Sequence, residues 1–372
     1  MYIILLFFPL IISIQSIYST SHDQYHYILS NNAPYQILNK PHIKNIRGIN
    51  YSPSPIGYSP DDLQSIDLYS TTYHTLHIRD LRIINQLGAN VIRISHTHEE
   101  LNHTAFFDLC HSYNVSIILT FDPAYGLSSK QFDINDERTI QLNSIVNRFK
   151  SQLIKYQHHP ALLAYAIGNS PNRLSNTLSP AWYRLTHKLS HVRDELCINE
   201  NNNNATQYNN NKLMHINKLP ECWHPITIPL SDTVSGSGDS LISMILSLEL
   251  QYPNSIDFYS FNLYRGNTFT SFFNDYRRFQ ILSGSNKPAL ISEFGMDILD
   301  FRIDHGELNQ TLQSYSIQLQ WSQINYSIEH YHSFLGGLIF EYSDEWYRTA
   351  SYYYPKTVDC PITDPSVHGR LY

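Results

Sequence analysis

Charge is scarce in this 372-residue chain: 15% of positions are Asp, Glu, Lys or Arg, and 25 basic residues against 32 acidic ones leave a net −7 with no basic block. A protein that tracks phosphates concentrates the opposite sign on one face, so the balance argues against nucleic acid as a partner. Cysteine is also sparse. Cys110, Cys197, Cys222 and Cys360 are too few for a disulfide scaffold and show no Cys-x-x-Cys spacing, which removes zinc ribbons and thioredoxin-type sites. Several signatures are missing as well. No Gly-x-Gly-x-x-Gly follows the first strand and no Gly-x-Ser-x-Gly elbow exists. Ser235-Gly236-Ser237-Gly238-Asp239 lacks the Gly-Lys-[Ser/Thr] of a phosphate loop.

What the chain does have is 42% apolar residues, enough for one large core or two ordinary ones, and a surplus of rings, with 28 Tyr, 17 Phe and 4 Trp. Such a surplus suits sugar stacking or a wide cleft. Met1 to about Tyr18 is apolar but too short for the roughly 20 residues of a membrane span, and small residues follow at Ser19, Thr20 and Ser21. Residues 1–20 are therefore predicted as a signal peptide, although its first residues lack Lys and Arg. The protein is expected to be secreted, with no membrane contact after cleavage. Asn-x-[Ser/Thr] sequons stand at Asn50, Asn102, Asn114, Asn204, Asn309 and Asn325, and Asn204 and Asn309 are the expected glycosylation sites. In an oxidising compartment Cys197 and Cys222, which bracket an asparagine-rich insertion at about 198–221, are predicted to form a disulfide stapling it.

Short β-rich runs alternate with helical ones. The strand candidates are 45–50, 90–95, 115–121, 162–168, 225–229, 255–263, 288–293 and 336–340. Between them, 136–156 has helical apolar spacing, and Leu76 to Leu87 stops at Gly88. Another helix starts at Ser179, with Pro180 in its first turn and Trp182, Leu185, Leu189, Val192 and Leu196 behind it, and 241–250 forms one more. Eight strands with intervening helices predict an α/β fold, a (β/α)8 TIM barrel, over 43–372, leaving no residues for a second domain. Function then lies at the strand C-terminal ends.

The fourth strand ends Ala166-Ile167-Gly168-Asn169-Ser170-Pro171-Asn172 and the seventh ends Ile291-Ser292-Glu293-Phe294-Gly295. With Arg47-Gly48-Ile49-Asn50-Tyr51 on the first strand and Phe340-Glu341-Tyr342-Ser343-Asp344-Glu345-Trp346 after the eighth, the chain resembles the clan A glycoside hydrolases. These are retaining (β/α)8 enzymes that include β-mannanases, cellulases, β-galactosidases and β-glucanosyltransferases. The resemblance implies a β-linked oligo- or polysaccharide as partner and no cofactor. It assigns Glu293 as nucleophile, Asn169 to the sugar 2-hydroxyl, Tyr264 as a donor to the nucleophile and Trp346 as a sugar platform. Arg93, ending the second strand, supplies a cation beside Glu293.

The pattern breaks at Ser170, which stands where the family carries its acid/base glutamate. A hydroxyl cannot serve as a general acid near pH 6, and residues 171–180 contain no Asp or Glu. Three readings stay open. Another carboxyl reaches in (Glu341, Asp344, Glu345 or Asp122), or the protein turns over only substrates that need no acid, or it is a pseudo-enzyme that binds glycan without cleaving it. The run from Ser95 to His103 also invites a metal reading, yet His98 and His103 are five apart, about 140° round a helix rather than one turn. His96 with His98 is the remaining metal geometry; the resemblance instead assigns His96 to substrate contact, and no metal is expected.

Overall fold

The computed structural model describes residues 43, 45–53, 66–95, 97–124, 140–172, 179–204, 221–232, 239–253, 255–296, 299–300, 307–331 and 333–343. The predicted leader, most of the asparagine-rich insertion, His96, Asp344, Glu345, Trp346 and Cys360 lie outside them.

Nine parallel strands carry the fold: β1 (Ile46–Asn50), β2 (Val91–Ile94), β3 (Ser116–Phe121), β4 (Leu162–Ile167), β5 (Ile226–Thr227), β6 (Pro229–Ser231), β7 (Tyr259–Asn262), β8 (Ala289–Phe294) and β11 (Phe334–Ile339). They form one sheet in the order β5-β4-β3-β2-β1-β11-β8-β7-β6. Only Ile228 separates β5 from β6. Because β5 pairs with β4 and β6 pairs with β7, these two short pieces act as one interrupted fifth strand and the sheet curls into a nearly closed barrel. A minor antiparallel pair, β9 (Leu299–Asp300) with β10 (Glu307–Leu308), sits in the connection after β8.

Seven helices alternate with the barrel strands: α1 (His74–Gln86), α2 (Thr104–Ser112), α3 (Ile140–Tyr156), α4 (Pro180–Asn204), α5 (Asp239–Gln251), α6 (Thr270–Ser283) and α7 (Gln310–Tyr331). Such an alternation is the TIM-type α/β architecture. The eighth strand begins at Phe334, two residues earlier than its apolar run suggested, because Gly336 pairs with Ile46 at φ 140°, a conformation that glycine alone adopts readily.

Side chains alternate across each strand, so two cores form on either side of the sheet. Ile46, Val91, Ile118, Ala164, Ala166, Leu290 and Leu338 make one apolar cluster, while Ile49, Ile92, Leu119, Tyr165 and Phe261 belong to the larger cluster that includes helix residues. On the first of these faces, polarity changes along the strand. Ile46 is followed two residues apart by Gly48 and Asn50, Val91 by Arg93, and Ile118 by Thr120. A dry plug at the N-terminal half therefore gives way to buried polar groups at the C-terminal half, where β1, β2 and β3 carry Asn50, Arg93 and Thr120.

Candidate active site

Glu293, near the end of β8, is 4% exposed and receives three donors. Arg93 Nη1 from β2 donates to Oε1 at 3.1 Å, Asn169 Nδ2 beyond β4 donates to Oε1 at 3.2 Å, and Tyr264 OH beyond β7 donates to Oε2 at 2.9 Å. Of the expected site residues, Arg93, Asn169 and Tyr264 are thus brought together around the Glu293 carboxylate, while Trp346 and His96 lie outside the described residues. The Arg93–Glu293 pair is almost fully buried, at 3% and 6% side-chain exposure. Burial pulls the Arg93 guanidinium below its ordinary value and Glu293 opposes that pull. Arg93 is further fixed by Nε donating to Thr120 Oγ1 at 3.2 Å. Removing one partner of such a pair strands a buried charge and costs about 3–5 kcal/mol.

Around this pair lies a network that motif reading did not assign. Asn262, the last residue of β7, donates through Nδ2 to Asn169 Oδ1 at 2.9 Å and to Ser170 Oγ at 2.8 Å, and accepts from Ser292 Oγ at 2.8 Å. Asn50, ending β1, donates through Nδ2 to Ser292 O at 2.9 Å and Ile339 O at 3.3 Å. Its sequon nitrogen is thereby consumed inside the barrel, as its position in a buried strand suggested.

The turn that carries Asn169 and Ser170 is set by backbone chemistry. Gly168 has φ 67°, and a Cβ there would meet the Trp182 ring at 2.9 Å. Ser170 is itself left-handed at φ 51°, while its N–H donates to Pro229 O at 2.9 Å. Asn172 then clamps the loop to the fifth strand, donating to Ser231 O at 2.7 Å and accepting from Ser231 N at 2.8 Å. At position 170 the site holds a hydroxyl that accepts from an amide. Its own hydrogen remains able to donate, but it is no acid at neutral pH.

Of the candidate replacement acids, Asp122 and Glu341 lie among the described residues. Asp122 Oδ1 accepts the Ala124 N–H at 2.9 Å in its own turn. Glu341 lies just beyond β11, where its charge adds to the upward shift that burial imposes on the Tyr69 hydroxyl. A carboxylate that the motifs did not suggest, Asp232 beyond β6, is 2% exposed in its side chain and engages Arg265 through both oxygens. The mouth between the first and eighth strands is tied by Asp80 of α1, which accepts from Tyr51 OH and Tyr342 OH at 3.0 Å each.

The histidine-rich loop is structural where it is described. Arg148 of α3 grips Glu99 at 2.7 and 2.8 Å, and His103 contacts Tyr156 OH through Nδ1 and Asp67 through Nε2, at 3.1 and 3.0 Å. Among the described residues no group of three or more His, Cys, Asp or Glu converges as a metal cage. Elsewhere, Cys197 and Cys222 are disulfide-bonded with their Cα atoms 5.6 Å apart, and Cys110 is free and buried. Asn309 caps α7, its Oδ1 accepting the Leu312 N–H at 2.9 Å. Asn204 is the last residue of α4.

No protein-family model and no curated protein sequence matches this chain. Solved structures match its fold. A β-glucuronidase from Bacteroides uniformis aligns with a TM-score of 0.51 and 17% identity over 87% of this chain and 32% of that one. A GH2 β-galacturonidase from Eisenbergiella tayi, bound to galacturonate, aligns with a TM-score of 0.50 and 16% identity over 80% and 43%. Gas2p from Saccharomyces cerevisiae, in complex with laminaripentaose, aligns with a TM-score of 0.50 and 17% identity over 81% and 58%. The chain therefore spans less than two thirds of the length of each, and what it shares with them is the barrel fold.

Proposed function

We propose that this protein acts on a β-linked glycan as a retaining glycosidase or transglycosidase in which Glu293 is the nucleophile and leaving-group protonation is weakened by Ser170. The observation that carries the reading is the convergence of Arg93, Asn169 and Tyr264 on the two oxygens of Glu293. That the fold is shared with carbohydrate-active barrels supports it. In the first step a Glu293 oxygen attacks the anomeric carbon and the bond to the leaving oxygen breaks, giving a glycosyl ester and the departing alkoxide or aryloxide. A nitrophenolate leaves without a proton; a sugar alkoxide does not, and loss of general acid help lowers the rate by about 10² to 10⁴. Water or a sugar hydroxyl then attacks the ester, expelling the Glu293 carboxylate and releasing its proton to solvent. Trp346 and His96 belong to this reading as substrate contacts. So do secretion after loss of residues 1–20 and glycans on Asn204 and Asn309.

The second reading, a glycan-binding pseudo-enzyme, is favoured by one observation: Ser170 Oγ accepts from Asn262 Nδ2, a bond that position 170 makes without a carboxyl. One assay separates the two. The protein is incubated with nitrophenyl β-glycosides, with and without azide, alongside Glu293→Ala and Ser170→Glu. Turnover that azide accelerates and Glu293→Ala abolishes is the expected result. No turnover in either the wild type or Ser170→Glu, together with measurable binding of an oligosaccharide such as laminaripentaose, would leave the binding role.

A further inference from the structure

On the outer face of the barrel, α4 carries two histidines four residues apart, His187 and His191, which places them one above the other on the helix surface. Their Nε2 atoms face each other at 3.1 Å, with ring centroids 4.4 Å apart and planes crossed at 83°. We propose that this pair is a binding site for a borderline divalent transition-metal cation, copper(II) or zinc(II), independent of the glycan site.

Three features support it. At metal–nitrogen distances of about 2.0–2.1 Å, two nitrogens 3.1 Å apart subtend about 98° at the ion, between octahedral and tetrahedral geometry. The ring of His187 is half-buried, its Nδ1 turned into the protein without a hydrogen-bond partner and the Tyr252 ring 6.4 Å away. Nε2 is therefore the one nitrogen that His187 has to commit, and it is committed to His191. His191 is exposed, so the outer side of the pair is open to solvent and water can complete the coordination shell. Without metal the proton on the His191 Nε2 lies between the rings; a cation displaces it, solvent returns a proton to the other nitrogen of that ring, and both Nε2 lone pairs bind the metal.

The test uses the full chain and the metal salts alone. Calorimetric titration with copper(II) and zinc(II) is compared between wild type and His191→Ala, a substitution at an exposed position whose folding is checked by melting temperature in chelator. The difference between the two isolates this site from the chain's other histidines. The expected result is loss of one binding event, or at least a tenfold weakening, in the variant. At one equivalent of copper(II), the electron paramagnetic resonance spectrum of the wild type should show coupling to two imidazole nitrogens, and that of His191→Ala to one fewer. Identical isotherms and spectra for the two proteins would overturn the proposal and leave an imidazole–imidazole hydrogen bond.

Discussion

At the scale of single residues, the site depends on amides as much as on charges. Asn262 satisfies Asn169, Ser170 and Ser292 with one side chain, so Asn262→Ala leaves three polar atoms short of a partner at once. Ser292 alone of the three is buried, Asn169 being exposed and Ser170 half-buried, so the cost of one unsatisfied buried group, about 1–3 kcal/mol, is the loss expected in urea unfolding. Tyr264→Phe removes only the hydroxyl that donates to Glu293. A hydrogen bond to a charged group is worth about 1.5–3 kcal/mol, so nitrophenyl glycoside kcat/KM should fall by about 10- to 100-fold with the fold intact. A third residue-scale prediction concerns pH. His77 of α1 is 1% exposed, its Nε2 lies 2.8 Å from Leu68 O, and burial pulls its pKa below 6.5. The folded state thus keeps His77 neutral where the unfolded chain takes up a proton. Its contribution is fully present above about pH 6.5 and is lost as pH falls below that value, at up to about 1.4 kcal/mol per pH unit. Stability measured from pH 7 to pH 5 should decline, and His77→Gln, which keeps a donor for Leu68, should flatten that decline.

Among elements, legibility followed the source of each signal. Strands were readable because parallel strands buried on both faces are continuous apolar runs, and β3 and β4 are fully buried along their length. The fifth strand, read from sequence as the single run 225–229, is two pieces of two and three residues broken at Ile228, an interruption that an apolar run does not reveal. Helix α7 was not assigned from sequence at all, although it is 22 residues long. Its buried stripe is Ser316, Gln320, Ile324, Ser327 and Ile328, mostly polar, so hydrophobic periodicity has little to report. Gln320 is nevertheless placed with purpose, donating to Gly266 O at 2.8 Å and Gly295 O at 3.1 Å beside the mouth. At the site, the charged and aromatic members were legible from motif order, whereas Asn50, Asn262 and Ser292 became visible only once the barrel set which side chains face inward. The pairing of the first and last strands yields an element-scale prediction. A Cβ on Gly336 would stand 2.0 Å from Ile46 O at a φ that alanine rarely adopts. Gly336→Ala should therefore destabilise the barrel by about 3 kcal/mol or more in urea unfolding, with strain and overpacking adding.

For the molecule as a whole, the central problem is that a nearly closed barrel must tolerate a long, polar, asparagine-rich interruption between its fourth and fifth strands. The disulfide between Cys197, in α4, and Cys222, just ahead of β5, closes that excursion at its neck with 25 residues of separation. Around the neck a small apolar cluster of Cys197, Cys222 and Trp223 is tied to the barrel by polar contacts. Arg193 lies 4.5 Å over the Trp223 ring and donates to Asp257 and His224 O, while Trp223 Nε1 donates to Asp194 Oδ1 at 3.1 Å. Left uncrosslinked, an excursion of that length adds conformational freedom to the unfolded chain. By the loop-closure relation a 25-residue ring restricts the unfolded state by about 3.5 kcal/mol at 25 °C. Cys222→Ser, paired with Cys197→Ser to avoid a stray thiol, should lower unfolding stability by about 2–4 kcal/mol. Because the crosslink lies away from Glu293 and its donors, glycoside turnover per folded molecule should be unchanged. A loss of turnover in protein that is still folded would instead mean that the neck helps to hold the β4 and β5 ends, and with them Asn169 and Ser170, in register.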